Sequence, residues 1–223
     1  MDIHPLLNVR SVPETHAVHC DFSKKPWADI PAEELMHHMG EDPVHRPLTR
    51  FKIAYSPGSI NLIFQVSDHY VRAVAGHYQG PVYQDSCVEF FFSPGPSVDR
   101  GYFNLEINCC GTALFEFHPA GTGECLKIPE KAFQKITIVP SLEGPVEPEI
   151  QRPLAWSVAC RLPIDILRPY SDVTLPSPGA CWRANFYKCA DKTSRPHWLT
   201  WAPVHFPTPR FHLPEYFGLL KFI

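Results

Sequence analysis

The sequence predicts an all-β chain folded as an antiparallel β-sandwich of jelly-roll or immunoglobulin-like two-sheet architecture, with long proline-rich loops and one or two short helices. Three observations lead there. Eight or more short segments alternate apolar and polar residues with period two, the signature of strands with one face buried. Turn formers separate them, and the 25 prolines among 223 residues scatter between apolar runs instead of forming a tract. Helical periodicity is nearly absent.

Residues 1–15 read as an extended arm, with Pro5 and Pro13 blocking helix, ahead of a single domain over 16–223. Residues 17–22 read as a short strand. Residues 31–38 read as a first helical turn, with Glu33 and Glu34 where the helix dipole favours acids. Phe51, Ile53 and Tyr55, then Ile60, Leu62, Phe64 and Val66, alternate around an SPGS turn and form a hairpin. Segments 113–118 and 135–139 are strand-like, 141–153 is a loop, and 156–162 alternates Trp156, Val158, Cys160 and Leu162. PIDILRPY supplies one helical turn. In 182–187 the pattern sends Trp182, Ala184 and Phe186 inward and Arg183, Asn185 and Tyr187 outward. A long loop over 188–215 leads to a closing strand at 217–223.

The segment around which the rest is arranged is VYQDSCVEFFFSPGPSVDRGYFNLEIN. It reads as two strands joined by a Pro/Gly-rich turn, with an apolar face and a face carrying Glu89, Asn104, Glu106 and Asn108. Keeping apolar residues opposite apolar ones forces paired numbers to sum to an odd value. The tightest such register sets Glu89 opposite Glu106 or one pair away. Facing carboxylates repel unless a ligand, a cation or an arginine offsets them. Arg183 is the sequence's candidate for that role, since guanidinium matches carboxylate geometry.

A rigid sheet presenting carboxylates, amides and a guanidinium suits sugar hydroxyls, each of which both donates and accepts. Flat C–H faces of sugar rings pack on aromatic side chains. Tyr78, Tyr83, Trp198, Trp201, Phe206 and Phe211 flank the strands. Core packing is the default reading for Trp198 and Trp201. Phe211 differs, because TPRFHLPEY has no strand periodicity to bury it.

Bulk properties narrow the choice. Formal net charge is −3, from 20 basic and 23 acidic residues, and no Lys/Arg cluster points to nucleic acid or an anionic membrane. No apolar run reaches the length of a membrane span. Eight cysteines include no CxxC pair, so zinc-finger and thioredoxin spacings are missing. The N-terminus lacks the pattern of a signal peptide, which leads to the expectation of a reduced, cytoplasmic protein; a secreted chain trimmed of its signal would read the same.

Several motifs together resemble the family 9 carbohydrate-binding modules. QDSCVEFFFSP is similar to that family's acidic turn and following V-E strand, YFNLEINCCGT to its F-E-I-N strand, WRANFYK to its W-R-(V/A)-N-F strand, and WLTWAP with FHLPEYFGLLKF to its closing segments. Order and spacing agree over roughly 45–223. The resemblance implies a β-sandwich that binds saccharide without catalysis, in the context of polysaccharide or sugar catabolism. Carried over, it names Glu89, Glu106, Asn108 and Asn185 as polar ligands, and Tyr83 and Phe211 as the aromatic pair where the family has two tryptophans. Arg183 and Tyr187 join them on the outward row, and Arg183 with Lys188 would suit a sugar acid. The resemblance also implies structural calcium, with Asp68 and Asp85 the nearest loop acids.

Two other readings share the fold. A small glycoside hydrolase would use Glu89 and Glu106 as its acid/base pair. A haem-binding electron-transfer domain would need axial ligands, yet the three methionines, Met1, Met36 and Met39, all lie near the N-terminus and no CxxCH is present. The sequence is silent on oligomeric state.

Overall fold

The computed structural model describes residues 4–223. Its strands form a continuous hydrogen-bonded ribbon that curls into two facing layers. One layer runs β10 (Thr137–Pro140), β11 (Val146–Pro163), β5 (Ser59–Ala73) and β4 (Leu48–Ser56). The other runs β14 (Gly218–Phe222), β12 (Cys181–Cys189), β6 (Cys87–Ser93), β7 (Tyr102–Asn108), β8 (Ala113–His118) and β9 (Leu126–Lys127). β1 (Leu6–Ser11) links the layers, with residues 6–9 pairing β14 and residues 10–11 pairing β4. Both of those pairings are parallel; the other strand pairs are antiparallel, as expected. Among the described residues, helix is confined to α1 (Glu130–Phe133) and four single 3-10 turns, one of them at Ile164–Ile166 in the PIDILRPY segment. No described helix is long and apolar enough to cross a membrane.

The core lies between the layers. Phe51, Phe64, Trp156 and Val158 from one side meet Phe90, Phe92, Phe103, Trp182 and Phe186 from the other. Phe51 stacks on Phe186 with centroids 3.8 Å apart. These are the inward positions that period-two alternation picks out.

Five segments differ from the sequence reading, one of them the loop expected at 188–215, which begins inside β12 and carries the strand β13 (Trp198–Thr200). Where an extended arm was expected over 1–15, Leu6–Ser11 is a strand of the sandwich, with Val9 fully buried, and Glu14 and Thr15 form a turn; residues 1–3 lie outside the described part. Residues 17–22 form no strand: Val18, Cys20 and Phe22 pack as a coil against Trp27, Ile63 and Ala159. In place of a helical turn at 31–38 there are two short strands, β2 (Glu33–Glu34) against β4 and β3 (His37–His38) against β13 (Trp198–Thr200). Here a free sheet edge outweighed a weak helical propensity. Finally, part of the loop expected at 141–153 belongs to β11, which pairs with β5 through two register irregularities.

Candidate functional site

The second layer turns one face to the core. Its other face is roofed by loops: Val82, Val204, Phe211 and Leu213 cover Phe91, Tyr187 and Cys189. The roof is incomplete over β6 and β7. Glu89 pairs directly with Glu106 across these strands, and both are almost wholly buried at the foot of a cavity of about 260 Å³. Tyr83, Trp198 and Phe211 supply its aromatic walls, while Glu116, Asp191, Arg210 and His212 stand around the acids. Tyr83 is 40% exposed and marks the rim.

Local bonds hold this geometry. Trp198 donates from Nε1 to Asp191 Oδ1 at 2.8 Å, and the Asp191 main-chain N–H donates to the Tyr83 carbonyl at 3.2 Å. The loops bearing both aromatics are thus tied together. Phe211 stacks on Tyr187 with centroids 4.2 Å apart, and the Tyr187 hydroxyl donates to the Phe211 carbonyl. Asn104 donates to Glu106 Oε1 at 3.0 Å and bonds His118 through its own oxygen. Cys189 Sγ donates to Glu89 Oε1 at 2.9 Å. The second oxygens, Glu89 Oε2 and Glu106 Oε2, are buried with no partner.

Burial sets the electrostatics. It raises the Glu89 carboxyl well above the usual range, and neighbouring Cys189 and Glu106 add to the effect. Burial likewise pushes Glu106 up to about 8. It raises Asp191 despite the Trp198 hydrogen bond, and pushes His212 down to about 4. Near neutral pH the cavity floor is therefore a pair of protonated acids, each able to donate as well as accept.

Of the sequence-predicted ligands, Tyr83, Glu89, Glu106 and Phe211 meet at this cavity. The other four do not line it. Asn108 is fully buried. It accepts from the N–H groups of Cys110 and Thr112 and donates to Ala75 O and Asp85 Oδ2, bracing a turn. Asn185, also fully buried, accepts from the Phe186 and Ala202 N–H groups and donates back to Ala202 O. Tyr187 lies beneath Phe211 as a second layer. Arg183 pairs with Ser93, four positions from the pair Tyr187 and Glu89. That is about 13 Å at the rise of a strand, too far to offset the glutamates. Lys188 alternates to the opposite face, where it is fully buried beside His197 and Asp68.

The acids considered for calcium do not fit it. Asp85 accepts from Arg72 and the Val74 N–H on one oxygen, and from the Ala75 N–H and Asn108 on the other, which fills its lone pairs with donors. Asp68 accepts from His45 and two main-chain N–H groups, and its free oxygen faces the Lys188 ammonium at 3.8 Å. A hard cation needs six to eight oxygens, and an ammonium beside it is repulsive. A broader depression of about 640 Å³ lies beside Asp68, but that carboxyl is its only buried acid and is already engaged.

Trp198, read by default as core, and Asp191, Arg210 and His212, not singled out, are the cavity residues that the sequence reading missed. Parity marks the first: Trp198 and Trp201 are three residues apart, so one strand sends them to opposite faces. Trp201 packs in the core and Trp198 faces the cavity. Arg210 and His212 flank Phe211, the one loop aromatic singled out.

A model of carbohydrate-binding family 9 matches residues 27–222. The chain belongs to this family. Carbohydrate binding is accordingly its function class. Among solved structures, a candidate carbohydrate-binding protein from Bacteroides uniformis is 30% identical, with TM-score 0.86 over 99% of this chain and 100% of its own. A family 9 module from Caldicellulosiruptor kristjanssonii, solved with cellotriose and with glucose, shares the fold at 12% identity, with TM-score 0.67 over 98% of this chain and 93% and 96% of its own. No curated protein matches the chain significantly.

Proposed function

We propose that the cavity over Glu89 and Glu106 grips the end of a saccharide, without catalysis, with a ring packed among Tyr83, Trp198 and Phe211. The observation that carries this reading is the desolvated acid pair with one orphaned oxygen on each member, inside aromatic walls. Hydroxyls of one sugar ring can satisfy both oxygens, and its C–H faces suit the rings. Arg210 at the side would favour a sugar acid over its neutral parent. The cellotriose and glucose complexes of the Caldicellulosiruptor module name the first ligands to try.

The acids themselves support a non-catalytic role. A glycosidase needs one carboxyl ionised and the other protonated, with their environments pushing the two apart. Here burial pushes both the same way. Titration calorimetry against glucose, cellotriose and uronic acids, beside an assay for released reducing sugar, tests the reading. Binding that weakens by ~1–3 kcal/mol in Phe211→Ala, with no sugar released, is the expected result. A saccharide bound equally well by Phe211→Ala and Glu106→Gln would move the site elsewhere.

A further inference from the structure

The floor of the cavity contains a second set of groups that saccharide binding leaves unexplained. β12 pairs with β6 so that Cys189 lies directly opposite Cys87, and strand alternation sets Glu89 on the same face as Cys87. All three are buried, and Cys87 Sγ, Cys189 Sγ and a Glu89 carboxylate oxygen lie within 4.8 Å of one another. We propose that Cys87, Cys189 and Glu89 form a binding site for one thiophilic divalent ion of the zinc class.

The donor set is the first argument. Two thiolates and a carboxylate are soft-to-borderline ligands typical of zinc and wrong for calcium or magnesium. Zinc–sulfur bonds of ~2.3 Å and zinc–oxygen bonds of ~2.0–2.2 Å place tetrahedral ligand atoms between 3 and 4 Å apart, roughly, so the three donors need only small inward shifts. Unused valency is the second argument. One Glu89 oxygen is buried without a hydrogen-bond partner beside the two thiols, and a divalent ion would give that carboxyl the ligand the chain does not supply. Binding would release the two thiol protons and the carboxyl proton to solvent, which balances the step. Three protein ligands leave a fourth position, and Glu89 and Cys189 both border the cavity.

A disulfide between the same cysteines is the main rival, since directly paired residues on antiparallel strands fall within disulfide reach. Glu89 argues against it. The Cys189 thiol is the only hydrogen-bond donor to Glu89 among the described residues, and oxidation would remove it and leave both carboxyl oxygens unpartnered at the cavity floor.

Cobalt(II) titration of the reduced, full-length protein, without any sugar, tests the proposal independently of the saccharide reading. One equivalent should bind with thiolate-to-cobalt charge-transfer absorption, and zinc should bleach it. Cys87→Ser and Cys189→Ser should each weaken binding by ~100-fold or more, at or beyond the 10–100-fold typical of losing an outer partner. Glu89→Gln, nearly isosteric and so safest for folding, should weaken it as well. Cys125→Ser should leave the band intact; Cys125 belongs to a separate, partly exposed group with Glu116 and His118. Absence of a thiolate band in folded, reduced protein would overturn the assignment. So would a band insensitive to Glu89→Gln and Cys189→Ser, or one abolished by Cys125→Ser.

Discussion

Glu106→Gln probes the buried acid pair most directly. Glu106 faces Glu89 across β6 and β7, and burial lifts its pKa from 4.5 to about 8. In the unfolded chain the carboxyl loses its proton near its ordinary value, so between pH 4.5 and about 8 the native state holds a proton that the unfolded state has released. Stability must then fall as pH rises through that window. Integrated from pH 6.5 to 8 with a native midpoint near 8, the loss assigned to Glu106 is on the order of 1–2 kcal/mol. Glutamine keeps the shape and the Asn104 contact but cannot ionise. Urea denaturation of both proteins at the two pH values is the assay. The histidines that burial pushes down, His118, His197 and His212, make stability rise with pH in both proteins alike, so the difference reports Glu106 together with the part of the Glu89 shift that Glu106 causes. Relative to wild type, Glu106→Gln should gain on the order of 1–2 kcal/mol between pH 6.5 and 8. Parallel pH profiles would refute the argument, because they would mean that the carboxyl is not desolvated.

Three further outcomes are expected. Asn108→Ala should cost stability, on the order of 3 kcal/mol by chemical denaturation, because it strands the Cys110 and Thr112 N–H groups and removes one of the two donors to Asp85 Oδ2; any protein that stays folded should bind saccharide with unchanged affinity. Lys188→Met should destabilise by ~3–5 kcal/mol by leaving Asp68 buried without its cation, and adding Asp68→Asn should recover most of the loss. Gly101→Ala should abolish soluble expression, since Gly101 has φ +108° and a Cβ there would lie 2.1 Å from the His118 carbonyl oxygen.

The strands that build the core were legible because their inward residues are large, apolar and strictly alternating. Phe90 and Phe92, Trp156 and Val158, Trp182 and Phe186 all fall where period two puts them. Register was legible for the same reason: pairing apolar with apolar already required Glu89 near Glu106. The misread segments are those in which no such alternation exists. Residues 33–38 carry acids and histidines whose propensity says little, and what decides them is the availability of the edges of β4 and β13, which only the assembled sheet supplies. β1 is short and mostly exposed, and its place between the two layers depends on partners more than 40 residues away.

The outward face was harder to read, because alternation says which way a side chain points but not what lies over it. Asn108, Asn185 and Tyr187 do point away from the core, yet loops from distant parts of the chain cover them and use their polar atoms. The same loops leave Glu89 and Glu106 uncovered on one side. That contrast is informative in itself. A pair of facing, desolvated carboxyls works against folding, and a pair of apolar residues at these two positions would suit the roofed face better. Asn108, Asn185 and Asp85 have their polar atoms braced by donors or acceptors of the chain, whereas these two acids, side by side at one cavity, each keep an oxygen unbonded. Groups that break the rules of packing with no structural return belong where a protein keeps valency for something else. In a chain of carbohydrate-binding family 9, with aromatic rings around those two oxygens, that something is most economically the hydroxyl groups of a sugar.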